Sequence, residues 1–453
     1  MEESMIFDDK KIYSWLKYSV LIGTLFCIIL GLIVNHFFAL IGLMLFCFGV
    51  LVLDLKDTTC QLCFFVHFAV IFKYSADGIS LFTIAQLFVL FVWAFVREKK
   101  IDYRVLLCAV VYLFYLLMGA FLSERFAFTE IVKQIGNILL LAIFIKHYPN
   151  DGIRTLLLYF VFGVLGASVL GLFAESIPNF YEFVQKIGYN TIITNRFTGL
   201  NGDPNYYAIN VVLSLVGVQV LYEKKHIQPL LFWGLFIVLS FFGFQTYSKS
   251  FLLMYALLLF IMTVQYFMQK NWTSLLVIGL IGAVGLILAF SEGNIINLTL
   301  KRLLGSKGLD ELTTERWSLW NGYIKFVFSD IIHFLFGTGI GADLLALKGN
   351  FFVEAGVHNF YIELLYYLGA IGTVIFIVTF VFCFKQKPLT KNRKISNYYG
   401  WIVLAFMYFF LQMLFSHELI FQIFVAYLIF VFDDDYIKTR SNDDCVCISK
   451  EGT

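Results

Sequence analysis

Three charged or titratable residues stand close to the starts of apolar segments, and their types suit chemistry on an anionic substrate. Arg196 lies in RFTGLNGDPN, Lys249 lies between the serines of YSKS, and His358 comes just before a long apolar segment. Arginine and lysine bind phosphate groups, and an imidazole that titrates near neutrality can take a proton from a hydroxyl. Together the three residue types favour group transfer at a pyrophosphate.

Arg196 is followed by a glycine-rich turn and a helix start. Asp203 and Pro204 have the residue types of an N-cap and a first helical position, and Asn205 comes next. A helix N-terminus attracts anions through its N–H groups and its dipole, so Arg196 beside it predicts an anion site. Two alternatives stay open: Asp203 and Asn205 act only in capping, or Arg196 is an interfacial arginine that reaches lipid headgroups.

Lys249 and His358 have similar placements at two further helix starts. Lys249 follows Ser248 and predicts a second cation near a helix N-terminus, although a cap by Ser248 or contact with lipid headgroups would also explain it. His358 precedes Asn359, and the alternative for His358 is a structural histidine, either at the level of the lipid headgroups or hydrogen-bonded within the protein. Glu363 lies inside the apolar segment, so we expect it to face the bundle interior, either as an interhelical partner or as a mechanistic group.

The sequence predicts no metal site. CQLC at 60–63 has the spacing of a metal or redox pair, but no second pair and no histidines at ligand spacing were recognised with it, so ordinary buried thiols are expected. Glu311 and Glu315 are four residues apart with no histidine or cysteine at ligand spacing, which favours a solvated helix face. The formal net charge is +2 and no long basic block occurs, so nucleic-acid binding is not expected.

The elements that must position these residues are membrane-spanning helices. Of the 453 residues, 60% are hydrophobic and only 14% are charged, whereas soluble domains have about 25% charged residues. Since a spanning helix needs about 20 apolar residues, the sequence predicts an all-α fold, a polytopic transmembrane helix bundle of about 12–14 spans. The candidate spans are 18–34, 37–53, 60–76, 79–96, 104–122, 131–147, 153–174, 205–222, 229–246, 250–268, 273–290, 359–384, 398–415 and 418–432.

Charge predicts the orientation of this bundle in the plasma membrane. The first apolar run follows DDKKIYSWLK and has no small-residue cleavage site, as in an uncleaved signal anchor. With the N-terminus in the cytoplasm, alternation of the spans places the larger share of Lys and Arg inside, as the positive-inside rule requires. Both termini are then cytoplasmic, and Arg196, Lys249 and His358 all lie on the extracytoplasmic side.

A long extracytoplasmic loop precedes His358, and it has a helical pattern of its own. The residues that recur there at helical spacing are Trp317, Trp320, Ile324, Val327 and Ile331. They predict an amphipathic helix at the membrane surface. Beyond the loop, the spacing of Gly369 and Gly372 suits close helix packing. The predicted parts of the chain are N-terminal transmembrane helices (1–174), an outer loop (175–204), central transmembrane helices (205–290), the large loop (291–357), C-terminal transmembrane helices (358–432) and a cytoplasmic tail (433–453).

These polar segments together resemble the O-antigen ligase/polymerase family, the Wzy/WaaL type of polytopic membrane glycosyltransferase. The match lies in RFTGLNGDPNYYA, SKS, ERWSLWNGYIKF with LFGTGIG, and HNFYIELLYYLGAIG, which follow the family's order over roughly 195–375. The His-Asn-x-x-x-Glu head with its paired glycines is the most specific of these motifs. The resemblance implies a donor sugar linked to undecaprenyl diphosphate, with neither a metal nor a nucleotide as cofactor.

The resemblance also implies a role for each site residue. Arg196 and Lys249 would hold the donor's pyrophosphate, although the family commonly has arginine where Lys249 stands, and lysine lacks the bidentate fork of arginine. His358 would activate or position the acceptor hydroxyl, and Arg316 would steer substrate at the start of the loop helix. The other expected substrate-binding residues are Asp203, Asn205, Asn359 and Glu363.

The predicted function is polymerisation of a polysaccharide such as O-antigen, capsule or exopolysaccharide, by transfer of a lipid-linked oligosaccharide to another lipid-linked repeat unit. A ligase that moves a finished glycan from the same donor shares this chemistry, so the motifs leave both open. A lipid-linked oligosaccharide flippase or other transporter is the alternative from another class, but transporters usually have repeated halves with midplane charges. Expected partners are the lipid-linked oligosaccharide, membrane lipids, and the flippase and chain-length regulator of the same pathway.

Overall fold

A computed structural model of the chain is all-helical in the residues that it describes, with no strand among them. The predicted tail from 433, most of the predicted loop 175–204, and Glu311 and Glu315 lie outside those residues. The described residues are 2–73, 80–123, 127–174, 176–177, 196–201, 203–291, 295–305, 308, 313, 316–340, 356–387 and 395–432.

Apolar helices of membrane-spanning character make up most of the structure. The helices are α1 (Glu2–Ile33), α2 (Phe37–Val52), α3 (Leu55–Phe65), α4 (Leu81–Phe91), α5 (Tyr103–Leu122), α6 (Phe128–His147), α7 (Ile153–Ala174), α8 (Pro204–Glu223), α9 (Pro229–Gln245), α10 (Lys249–Met268), α11 (Trp272–Phe290), α12 (Ile295–Leu304), α13 (Arg316–Val327), α14 (Ile331–Phe336), α15 (Phe360–Phe384), α16 (Tyr399–Met407) and α17 (Leu419–Val431). A 3₁₀ segment, Val66–Phe72, continues α3, and a π-helical segment, Val92–Val96, continues α4.

Eight of the described helical segments are long and apolar enough to cross a membrane, and six shorter apolar helices accompany them. Each of these segments overlaps one of the spans predicted from the sequence. The prediction of an all-α polytopic helix bundle is therefore confirmed, and the chain is a multi-pass membrane protein. Among these eight segments, Leu55–Phe72 and α8 are the most enclosed, with 94% and 89% of their spans buried inside the protein.

The two ends of the bundle are distinguished by the loops that meet there. We call the end that holds 196–204 and 356–359 the upper end and the opposite one the lower end. At the lower end, Lys17 Nζ lies 2.6 Å from Asp57 Oδ1 in an ion pair that joins the first and third helices. Every candidate site residue lies at or just below the upper end.

A short segment after α14 inserts between the upper parts of α5 and α15. Helix α15 is broken at Gly369, where φ is 60° and ψ is −174°, a backbone conformation that favours glycine. The carbonyls of Tyr366 and Tyr367, next to the break, accept hydrogen bonds from the backbone N–H groups of Thr338 (2.8 Å) and Gly339 (3.1 Å). The close packing expected of Gly369 and Gly372 is present, because a Cβ on Gly369 would clash with the backbone of Gly337 and one on Gly372 would clash with the ring of Tyr115. The break of the helix at Gly369 was not predicted.

The loop helix α13 packs against α15 along one face, and that face differs from the predicted one. Trp320, Tyr323 and Val327 are buried, whereas Trp317 and Ile324 of the predicted apolar face are exposed. The buried face of α13 is the face that contacts α15. There the ring centroid of Tyr323 lies 5.0 Å from that of Tyr366 in an edge-to-face pair. Helix α13 ends at Val327 and Ile331 begins α14, so the five residues of the predicted amphipathic helix do not belong to a single helix.

Candidate active site

The N-terminus of α8 is built as its sequence predicts. Asp203 Oδ1 accepts hydrogen bonds from the backbone N–H groups of Asn205 (2.6 Å) and Tyr206 (3.4 Å), and Pro204 occupies the first helical position. These bonds satisfy two of the N–H groups that a helix start leaves without intrahelical partners. The capping role foreseen for Asp203 is therefore present, and it leaves a half-buried carboxylate at the top of α8.

A hydrogen bond joins the start of α8 to the start of α10. Ser248 caps α10 by accepting from the backbone N–H of Phe251 (3.3 Å), and its hydroxyl donates to Asn205 Oδ1 (2.9 Å). Both Asn205 and Ser248 are buried. Lys249 is the first residue of α10, so it stands at a helix N-terminus, whose partial positive charge favours anions.

Arg196 docks on the turn that connects α9 to α10. Its Nε donates to the carbonyl oxygen of Thr246 (2.9 Å), and the backbone N–H of the next residue, Phe197, donates to the carbonyl oxygen of Gln245 (3.0 Å). Thr246 is three residues before Lys249. The structure thus brings Arg196 and Lys249 to the same turn, although 53 positions separate them in the sequence. We call them the cation pair.

His358 adopts an unusual backbone conformation directly before α15. Its φ is +47°, in the left-handed region that residues other than glycine rarely occupy. Burial lowers the pKa of its imidazole, the positive charge of Arg316 lowers it further, and the negative charge of Asp203 opposes both. The imidazole is therefore neutral at neutral pH and able to accept a proton. Strained residues of this kind concentrate at functional sites.

Arg316 begins α13 and connects the loop to the rest of the upper end. One of its guanidinium nitrogens donates to the carbonyl oxygen of Phe410 (2.8 Å). Burial lowers the pKa of Arg316, and the charge of Asp203 opposes this shift. Asp203 therefore acts electrostatically on both Arg316 and His358. The start of α8 is thus linked to two groups: to the start of α10 by the hydrogen bond between Ser248 and Asn205, and to Arg316 and His358 by the charge of Asp203.

Asn359 and Glu363 make contacts that organise the backbone of the site. Asn359 caps α15, because its Oδ1 accepts from backbone N–H groups two and three residues farther on (3.0 and 3.1 Å). Glu363 is fully buried, as expected from its position, and its Oε2 accepts from the backbone N–H groups of Met413 (2.9 Å) and Leu414 (3.0 Å). Both residues thus hold backbone in place, and Glu363 fixes the segment between α16 and α17.

The structure contains a buried polar cluster beneath the site that was not predicted from the sequence. Glu418 accepts hydrogen bonds from the side-chain amides of Asn201 (3.0 Å), Asn210 (2.9 Å) and Gln422 (3.3 Å). Glu418 itself was a signal in the sequence, because a charged residue at the start of an apolar segment is costly to place in a membrane and often has a function. Its partners could not be foreseen, because more than 200 positions separate Glu418 from Asn201 and Asn210.

The arrangement suits an anionic group held at the start of α10. The N-terminus of that helix and the cation pair can stabilise a diphosphate, while the neutral imidazole of His358 can receive a proton. Among the described residues, no three His, Cys, Asp or Glu side chains lie together as metal ligands would. Comparisons with protein-family models, with curated proteins and with solved structures find no match for this chain.

Proposed function

We propose that the protein is a glycosyltransferase that polymerises lipid-linked oligosaccharide repeat units, as the resemblance of its motifs to the O-antigen ligase/polymerase family implies. The observation that carries the proposal is the set of contacts at the start of α8, which is hydrogen-bonded to the start of α10 beside the cation pair and whose Asp203 charge acts on Arg316 and His358. A transport path through the membrane does not need this arrangement. A transfer reaction that separates a diphosphate from a sugar does.

The reaction breaks the bond between the anomeric carbon and the diphosphate oxygen of the donor. The electron pair of that bond leaves with the polyprenyl diphosphate, whose added charge Arg196 and Lys249 stabilise. The acceptor hydroxyl oxygen forms the new bond to the anomeric carbon, and its proton passes to His358. No metal and no nucleotide takes part in the proposed reaction. His358 suits its role because its lowered pKa leaves it unprotonated at neutral pH.

The proposal also implies how the bundle is oriented in the membrane and which steps come before and after the reaction. We assign the upper end to the extracytoplasmic side of the plasma membrane and the lower end to the cytoplasm, as the charge distribution of the loops predicts. The donor must first be moved across the membrane by a flippase, and a chain-length regulator is the expected partner during polymerisation. A ligase reaction would use the same donor site with a different final acceptor.

Two observations favour a transporter as the second candidate. Helix α15 is interrupted at Gly369, and the carboxylate of Glu418 is buried within the bundle. Interrupted helices and interior charges are both found in secondary transporters. A deletion strain separates the candidates when its surface glycan is analysed on a gel. Single repeat units on the final acceptor support a polymerase, free lipid-linked polymer supports a ligase, and the absence of translocated units supports a flippase.

Substitution of the cation pair tests the site. Arg196→Ala should abolish long-chain glycan because the leaving diphosphate loses its charge partner, and Lys249→Arg should retain it because the charge is kept. Arg154, an exposed arginine at the lower end, supplies the matched control, and Arg154→Ala should leave glycan length unchanged. Normal glycan length in Arg196→Ala, with the variant present in the membrane at the wild-type level, would remove Arg196 from the mechanism, and normal length in Lys249→Ala would remove Lys249.

A further inference from the structure

The segment 196–201, which carries Arg196, is held at both of its ends. At one end, Arg196 Nε donates to the carbonyl oxygen of Thr246 (2.9 Å). At the other end, the side-chain amide of Asn201 donates to Glu418 Oε1 (3.0 Å). Glu418 directly precedes α17, so the far end of the segment is fixed to that helix.

Between these two ends the segment forms a closely packed turn. Thr198 is buried, and its carbonyl oxygen accepts from the backbone N–H of Asn201 (3.0 Å). Gly199 has a φ of +57°, and a Cβ there would lie 2.6 Å from the ring of Tyr207 on α8. Because the turn is packed in this way, a displacement of Asn201 is passed along the backbone to Arg196.

The carboxylate of Glu418 divides its two oxygens between the segment and the helices. Oε2 accepts from the side-chain amides of Asn210 on α8 (2.9 Å) and Gln422 on α17 (3.3 Å), whereas Oε1 accepts from Asn201. An ionised carboxylate accepts hydrogen bonds at both oxygens and donates none, so it can hold three amide donors at once. Glu418 therefore joins the segment to two helices of the bundle, through a group that is itself buried.

We propose that Glu418 is a positioning residue, which acts through Asn201 to hold the segment 196–201 where Arg196 meets the diphosphate of the donor. The inference rests on the proposed function, in which Arg196 stabilises that diphosphate. Without the bond from Asn201, the segment holds its anchored position for a smaller fraction of the time, and the apparent affinity for the donor falls by the same factor. Glu418 itself touches neither the donor nor the acceptor in this role.

Two matched variants of the full chain in nanodiscs test this role. Asn201→Leu and Gln422→Leu each remove one amide donor to Glu418, but only Asn201→Leu releases the segment. Hydrogen exchange measures the order of 196–201, and binding of geranylgeranyl diphosphate measures the effect on Arg196. We expect Asn201→Leu to exchange faster in 196–201 and to bind the probe about tenfold more weakly, which corresponds to a segment anchored about one tenth of the time. Gln422→Leu should bind the probe as the wild type does.

A second comparison separates positioning of Arg196 from a general loss of stability. In the Arg196→Ala background, Asn201→Leu should weaken binding no further, because no guanidinium remains to be positioned. A merely structural role would instead add the same loss in both backgrounds.

Wild-type affinity in Asn201→Leu, an equal loss in Gln422→Leu, or a full additional loss in the Arg196→Ala background would each overturn the positioning role. The donor site of the proposed function is judged by Arg196→Ala alone. If that variant loses the probe while Asn201→Leu keeps it, the positioning role fails and the donor site stands. If the wild type does not bind the probe, or Arg196→Ala binds it as tightly, the donor site fails and the positioning role fails with it.

Discussion

Replacement of His358 by glycine and by alanine separates the imidazole from the backbone that presents it. Both variants lack the proposed base, but only alanine retains the steric cost of the left-handed conformation at φ +47°. That cost is about 1–2 kcal/mol for a residue with a Cβ, and about 0.5–1 kcal/mol is offset by the greater freedom of glycine in the unfolded chain. We therefore expect His358→Gly to be more stable than His358→Ala by about 1 kcal/mol.

Denaturation in detergent measures the stability difference, and gel analysis of surface glycan measures activity. Both variants should lose long-chain glycan, with a rate decrease of about 10²–10⁴-fold, the usual contribution of a general base. Lys225, at φ 59° in an exposed turn of the lower end, provides the control. Its glycine and alanine variants should differ in stability by a similar amount while glycan length stays normal.

Two outcomes would refute this reasoning about His358. If the glycine and alanine variants are equally stable, the left-handed conformation is not maintained in the folded protein. If His358→Gly retains long-chain glycan, the imidazole is not the base, whatever the stability difference. The glycine and alanine variants of Lys225 control for a general effect of glycine on the stability of the fold.

Two further predictions concern the pH dependence and the support of the site. Arg316→Gln removes a positive charge that lowers the pKa of His358, so that pKa rises and the acid limb of the pH–activity profile should move to higher pH; a shift to lower pH would contradict the electrostatic assignment. Glu363→Ala leaves two buried N–H groups without an acceptor, at about 1–3 kcal/mol each. The loss should appear in denaturation as about 2–6 kcal/mol, whereas Glu363→Gln keeps an acceptor oxygen and should lose much less. Equal losses in the two variants would contradict the contact.

The helices and their capped starts could be predicted because their signals are local. An apolar run of sufficient length identifies a span within its own residues, and Asp203 before Pro204 identifies a helix start in the same way. The docking of Arg196 near Lys249 follows partly from such local signals, since both precede helices that begin at the same end of the bundle. Their meeting at one turn, through the carbonyl of Thr246, needed the structure.

The features that escaped prediction depend on contacts between distant parts of the chain. The paired glycines of α15 had the spacing of a packing motif, and only the approach of Thr338 and Gly339 explains why Gly369 breaks the helix. The cluster around Glu418 likewise depends on amides from segments 200 positions earlier. A single sequence does not carry the pairing information that such contacts require.

The two halves of the candidate site rest on different parts of the chain. His358 is tied to the loop helix, because Trp320 Nε1 donates to the carbonyl oxygen of Val357 (3.1 Å) next to it. The cation pair belongs instead to α10 and the turn before it, where Arg196 Nε donates to the carbonyl oxygen of Thr246. A change in the loop helix therefore acts directly on His358 and reaches the cation pair only through the rest of the bundle.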